Sequence, residues 1–140
     1  MTVRSPQKLE QGRAAFAFNE VEQSVNNSSI PNDNYASYIK RMPSMIQVNG
    51  LAQALAFYYS KAKGDSGDAK AYKSIYKSIG KWLEETYPQY FTELDNNYHY
   101  IKAIINVNSA DYRLLTVETM ALLDWMKRFV SGMVGSRDEN

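Results

Sequence analysis

Cysteine is absent from the 140 residues of this chain, and histidine occurs once, at His99. Without thiols there is no disulfide framework and no thiolate metal site. Zinc needs three or four nitrogen, sulfur or oxygen ligands at close range, and one histidine does not supply them. No metal and no cofactor is therefore expected. Charge of one sign is not in excess either: 16 basic against 15 acidic residues leave a formal net charge of +1. Bulk charge thus selects no partner, and only the placement of charges along the chain carries information. No stretch approaches the roughly 20 apolar residues of a membrane span. The opening Met1-Thr2-Val3-Arg4-Ser5-Pro6 lacks the apolar core of a secretory signal. The expectation is a soluble, cytoplasmic protein with no membrane partner. Also missing are a Walker A loop, a G-x-G-x-x-G turn and a G-x-S-x-G elbow, which removes the common phosphate-binding and hydrolase signatures.

What is present is helical apolar spacing over a chain that is 44% hydrophobic. The length points to one domain, residues 1–140, with 1–7 and 135–140 as flexible ends. A domain of this size buries about 68% of the surface its unfolded chain exposes, enough for a core of its own. The spacing predicts a first helix over about Lys8 to Ser24, with Ala14, Phe18, Val21 and Val25 on its core face, Ala17 at the edge, and Leu9 and Phe16 pointing away. A second helix is expected from Asn34 to Met42, capped by Asp33 or Asn34 and broken or kinked at Pro43. A third, Leu51 to Lys63, is apolar almost all round and is expected at the centre of the bundle. A fourth spans Ala69 to Thr86, with Tyr72, Ile75, Tyr76, Ile79, Trp82 and Leu83 inward. A short helix is expected near His99 to Ile105. A last one, Ala110 to Met133 with Ser109 as cap, carries the core stripe Leu115, Thr119, Leu122, Met126, Phe129, Val130 and Met133. No alternating run marks a strand. The fold class is all-α, a compact bundle of five to six helices.

Catalytic chemistry is hard to assemble from these residues. His99 has no second histidine with which to form a dyad or metal cluster. Glu118 stands at the edge of the last helix's core stripe, where partial burial can raise a carboxyl pKa. The simpler reading is an ion pair with Lys61 or Arg13, since no second catalytic group can be named.

The cations are more informative. Lys70, Lys73, Lys77 and Lys81 recur at spacings of three and four, opposite the aromatic face of the fourth helix. Like charges so placed repel by a few tenths of a kcal/mol per pair, so the row suits either an anionic partner or a solvated face. Lys40-Arg41 precedes Pro43, Lys61 and Lys63 close the third helix, and Arg113, Lys127 and Arg128 share the outer surface of the last helix with Asp124. Leu9 and Phe16 on the first helix, and Val117 and Met120 on the last, form second apolar stripes of the kind that meet a protein partner. From the residues alone, two readings stand side by side: a module that touches a nucleic-acid backbone, and a helical adaptor that binds only protein.

Three segments carry a resemblance. They are Leu9-Glu10-Gln11-Gly12-Arg13-Ala14-Ala15-Phe16; then Tyr38-Ile39-Lys40-Arg41-Met42-Pro43, continuing through Met45-Ile46-Gln47-Val48-Asn49-Gly50-Leu51 to Ala56-Phe57 and Ser60-Lys61; and Tyr112-Arg113 with Glu118, Ala121-Leu122-Leu123 and Trp125-Met126-Lys127-Arg128-Phe129. Together they resemble the small helical subunit of the Cmr complex, the type III-B CRISPR effector. Residues 64–108 carry no motif of that family. The resemblance implies a helical bundle without enzymatic activity that stacks along the effector body. Its implied partners are the guide-binding backbone subunit, other subunits, further copies of itself, and the guide RNA–target RNA duplex. Arg13, Lys40, Arg41, Lys61, Arg113, Lys127 and Arg128 lie in the matching segments and are the cations it implies along the RNA path.

Overall fold

A computed structural model describes residues 5–92 and 99–135. Among them are six helices and no strand: α1 Pro6–Val25, α2 Asn32–Asn49, α3 Leu51–Lys61, α4 Gly67–Thr86, α5 His99–Ile105 and α6 Ser109–Val134, with a single 3-10 turn at Pro88–Tyr90. The all-α bundle read from the apolar spacing is the architecture observed. Helix α6 lies along α1 and α2, and α4 lies along α3 and α2.

Local chemistry explains most of the boundaries. Ser5 caps α1, accepting from the Lys8 amide at 3.2 Å, and Pro6 supplies a preset first residue. Residues 5–7 thus form the cap and start of α1; 1–4 and 136–140 lie outside the described residues. Ser66 caps α4 through the Ala69 amide. The cap of α6 is Asn108, which accepts from the Asp111 amide at 2.8 Å, one residue before the Ser109 expected. Helix α2 has no side-chain cap; Pro31 precedes it, and Asp33 sits inside its first turn.

Several expectations need correction. Helix α2 runs unbroken through Pro43. Ile39, Met42 and Ile46 on both sides of the proline are fully or almost fully buried, and that shared burial offsets the roughly 3 kcal/mol cost of an interior proline. Helix α3 ends at Lys61, and it is flanking rather than central. It packs on α2 and α4 and leaves Phe57 39% exposed. On α1, the buried residues are Ala17, Val21 and Ser24, while Phe18 is exposed. Leu9 and Phe16 pack against the core after all. The cause is that α1 meets α6 on one side and α4 on the other, so its covered face is wider than one apolar stripe. Met120 is likewise half-buried against the core, whereas Val117 stays exposed.

Two glycines set joints. Gly50, at φ +90, turns α2 into α3, a conformation side-chain-bearing residues rarely adopt. Helix α3 has no side-chain cap of its own; the Tyr112 hydroxyl of α6 accepts from the Ala52 amide at 2.9 Å instead. At Gly80 of α4, an added Cβ would fall 2.1 Å from the Tyr100 ring. Helix α5 rests on that bare backbone.

Candidate functional site

Glu118 defines the end of the α1–α4 seam nearest α6. Its carboxylate is nearly inaccessible, and both oxygens are engaged. Oε2 accepts from Arg13 Nε at 2.7 Å and from Trp82 Nε1 at 2.7 Å, and Oε1 accepts from Arg13 Nη2 at 2.9 Å. The fork-on-carboxylate geometry makes this a charge-assisted, bidentate pair. The hydrogen bond to Glu118 holds the Arg13 pKa above its ordinary value. Of the two cations considered for Glu118, Arg13 is the partner. The arrangement joins the first and third segments of the resemblance, as the Tyr112–Ala52 bond joins the third and second. Three of the carboxylate's acceptor positions are thus taken up by Arg13 and Trp82. His99 lies 3.4 Å from Glu84 and packs among Phe91 and Tyr100.

Toward the other end of the same seam, α4 presents its lysines. Lys70, Lys73, Lys77 and Lys81 line a groove of about 310 Å³ whose far wall is α1 from Glu20 to Asn27. Lys81 pairs with Glu20 at 3.2 Å, and Glu20 also accepts from the Ser78 hydroxyl at 2.7 Å. Among the described residues, Lys70, Lys73 and Lys77 have no carboxylate within ion-pairing distance. The groove wall is hydroxylic: Ser24 Oγ and Ser74 Oγ stand 2.6 Å apart. The fully buried Tyr35 hydroxyl lies near both without closing a well-formed hydrogen bond. Burial pushes the Tyr35 pKa up to about 12. The lysine row was legible as a stripe. The groove it borders was not, because Ser24 and Ser74 are 50 residues apart and nothing in their local sequence joins them.

The remaining cations fall into two further groups. On α2 and α3, Arg41 lies over the Tyr38 ring at 5.0 Å, and Lys61 over Phe57 at 5.5 Å. Tyr38 in turn stacks on Tyr72 at 4.0 Å. Lys40, Arg41, Lys61 and Lys63 are all exposed. Asp68 accepts from Tyr38 at 2.6 Å and from Asn34 at 2.5 Å, and those bonds lower its pKa. This aromatic–cation cluster was not anticipated from the sequence; its rings come from three different helices. On α6, Arg113, Lys127 and Arg128 are exposed, and Arg128 reaches Asp124 at 3.7 Å. That separation, at two well-exposed side chains, contributes little.

Among the described residues, no group of three or more histidine, cysteine, aspartate or glutamate side chains could hold a metal ion. None of the described helices is long and apolar enough to cross a membrane. Residues 9–133 match the family described as CRISPR-associated protein (Cas_Cmr5). The match extends through residues 64–108, where no motif had been recognised, and takes in the lysine groove. Spanning nearly the whole chain, it assigns the protein: the chain belongs to the CRISPR-associated Cmr5 family, a subunit family of the type III-B Cmr complex.

Proposed function

We propose that this chain is a non-catalytic structural subunit of a type III-B CRISPR complex for RNA-guided RNA targeting in antiviral defence. It stacks along the complex body and lines the guide–target RNA path with basic side chains. The observation that carries this reading is the division of its charges. Among the described residues, the one deeply buried carboxylate, Glu118, accepts from Arg13 and Trp82 with both oxygens, while Lys40, Arg41, Lys61, Lys63 and the groove lysines face outward. Arg13, held in the Glu118 pair, serves the fold in this reading and not the RNA. Outward lysines and arginines give sequence-independent affinity for phosphates, which suits a subunit whose complex reads sequence by base pairing. The cytoplasm, where guide and target RNA meet in such a cell, is its proposed location.

The test uses the assembled complex. Changing Lys40, Arg41 and Lys61 together to glutamate should leave assembly intact and weaken target-RNA binding by tenfold or more. It should also flatten the salt dependence of binding. Failure of the wild-type chain to join the other Cmr subunits would sink the reading. A second reading, a helical adaptor that touches only protein, is favoured by Val117 at 62% exposure and Leu114 at 40% on the outer face of α6. Under it, the triple variant binds RNA as the wild type does.

A further inference from the structure

The α1–α4 seam is grooved along its length. Beyond the lysine-lined stretch, a second hollow of about 380 Å³ continues toward the start of α1, lined by Lys8, Gly12, Ala15, Phe16, Asn19 and Trp82, with the exposed Glu85 at its rim. The pairs Ser24–Ser74, Glu20–Ser78 and Phe16–Trp82 mark where the two antiparallel helices face each other. Relative to that line, the residues bordering both hollows fall on the same side of each helix, judged by a turn of 100° per residue. The hollows are thus two stretches of one track. From Lys70 to Trp82 it covers about 18 Å of α4.

The two stretches differ chemically. One offers Lys70, Lys73 and Lys77, which lack carboxylate partners among the described residues, beside the Ser24 and Ser74 hydroxyls. The other offers the half-buried ring of Phe16, backed by Trp82 with ring centroids 5.1 Å apart. Glu20 lies between them, and Lys81 and Ser78 already engage its carboxylate. The like charge it presents to a phosphate is therefore largely neutralised. A row of cations leading to an aromatic platform is the arrangement by which proteins hold one strand: phosphates on the cations, a base on the ring. A duplex keeps its bases stacked inside the helix and cannot lay one on Phe16.

We propose that the α1–α4 groove binds a single-stranded stretch of RNA, on the order of four nucleotides, with phosphates on Lys70, Lys73 and Lys77 and one unpaired base on Phe16. The inference rests on the RNA-lining reading above and sharpens it to a strand and a place.

The experiment measures binding of the full-length chain to a fluorescein-labelled ten-nucleotide oligouridylate and to an RNA duplex of equal length, by anisotropy at low salt. The single strand should bind at least fivefold more tightly than the duplex. Lys73→Glu with Lys77→Glu should weaken single-strand binding tenfold or more and reduce the log–log salt slope by about 1.4, from about 0.7 per phosphate. Phe16→Leu, which keeps an apolar contact with Trp82, should weaken it about threefold or more without changing that slope. A melting curve shows that each variant is folded. Three results would overturn the inference: no single-strand binding by the wild type at 100 µM protein, equal binding of duplex with Phe16→Leu silent, or loss of binding only when Lys40, Arg41 and Lys61 are changed. None of them touches the assembly test, so the broader function can survive the failure of this site.

Discussion

Along one pair of helices, α1 and α4, charge is handled in two opposite ways. Near the start of α1 and the end of α4, Arg13 and Trp82 close on Glu118 and engage both of its oxygens. Near the other ends, Lys70, Lys73 and Lys77 border a groove and, among the described residues, none of the three has a carboxylate within ion-pairing distance. The first arrangement is costly to disturb, because each partner is desolvated and depends on the others. The second is cheap to disturb, because solvated lysines lose little on removal. Side chains whose loss leaves the fold intact are the ones free to serve a ligand, and the contrast can be measured.

The largest effect should come from Glu118→Ala. It strands the Arg13 guanidinium and the Trp82 indole N–H without an acceptor, and should lower unfolding free energy by about 3–5 kcal/mol in urea titration. A loss under about 1 kcal/mol would mean the knot is not what holds α1, α4 and α6 together. Alkali should come next. Burial raises both Tyr35 and Tyr76 to about 12, against an ordinary tyrosine value of about 10. The folded state keeps its protons longer than the unfolded chain, so this contribution is fully present below pH 10. It is lost as pH rises from about 10 through 12. The urea midpoint should therefore fall between about pH 10 and about pH 12, and replacing Tyr35 by phenylalanine should blunt the fall. Smallest of all should be Lys73→Ala with Lys77→Ala. The change in stability should stay within about 0.5 kcal/mol, or turn slightly favourable as like-charge repulsion is relieved. A large drop in melting temperature there would assign the row to the fold and erase the contrast.

How much of this was legible in the sequence depends on whether a feature is local. Helix α5 appeared at His99–Ile105 as expected, and all six inward residues of α4 are buried, because apolar spacing along one helix is a local signal. Pro43 misled, since a proline's cost is local while the burial that offsets it comes from neighbouring helices. The face of α1 was misjudged for the same reason: one stripe cannot announce two neighbours. Of the candidate site, the lysine row and the Arg13–Glu118 option were readable. The serine pair, the buried Tyr35 hydroxyl and the Tyr38–Tyr72 stack were not, as each joins residues tens of positions apart.

Gly80 sets how α5 is aligned. The Tyr100 ring sits where any larger residue's first carbon would be, and the same-face positions one turn away, Tyr76 and Glu84, both carry long side chains. Sliding α5 by a turn along α4 would drive the ring into one of them. A missing methyl group thus acts as a keyhole that indexes one helix against another, and a seven-residue helix too short to hold itself is registered by shape as well as by the burial of Ile104.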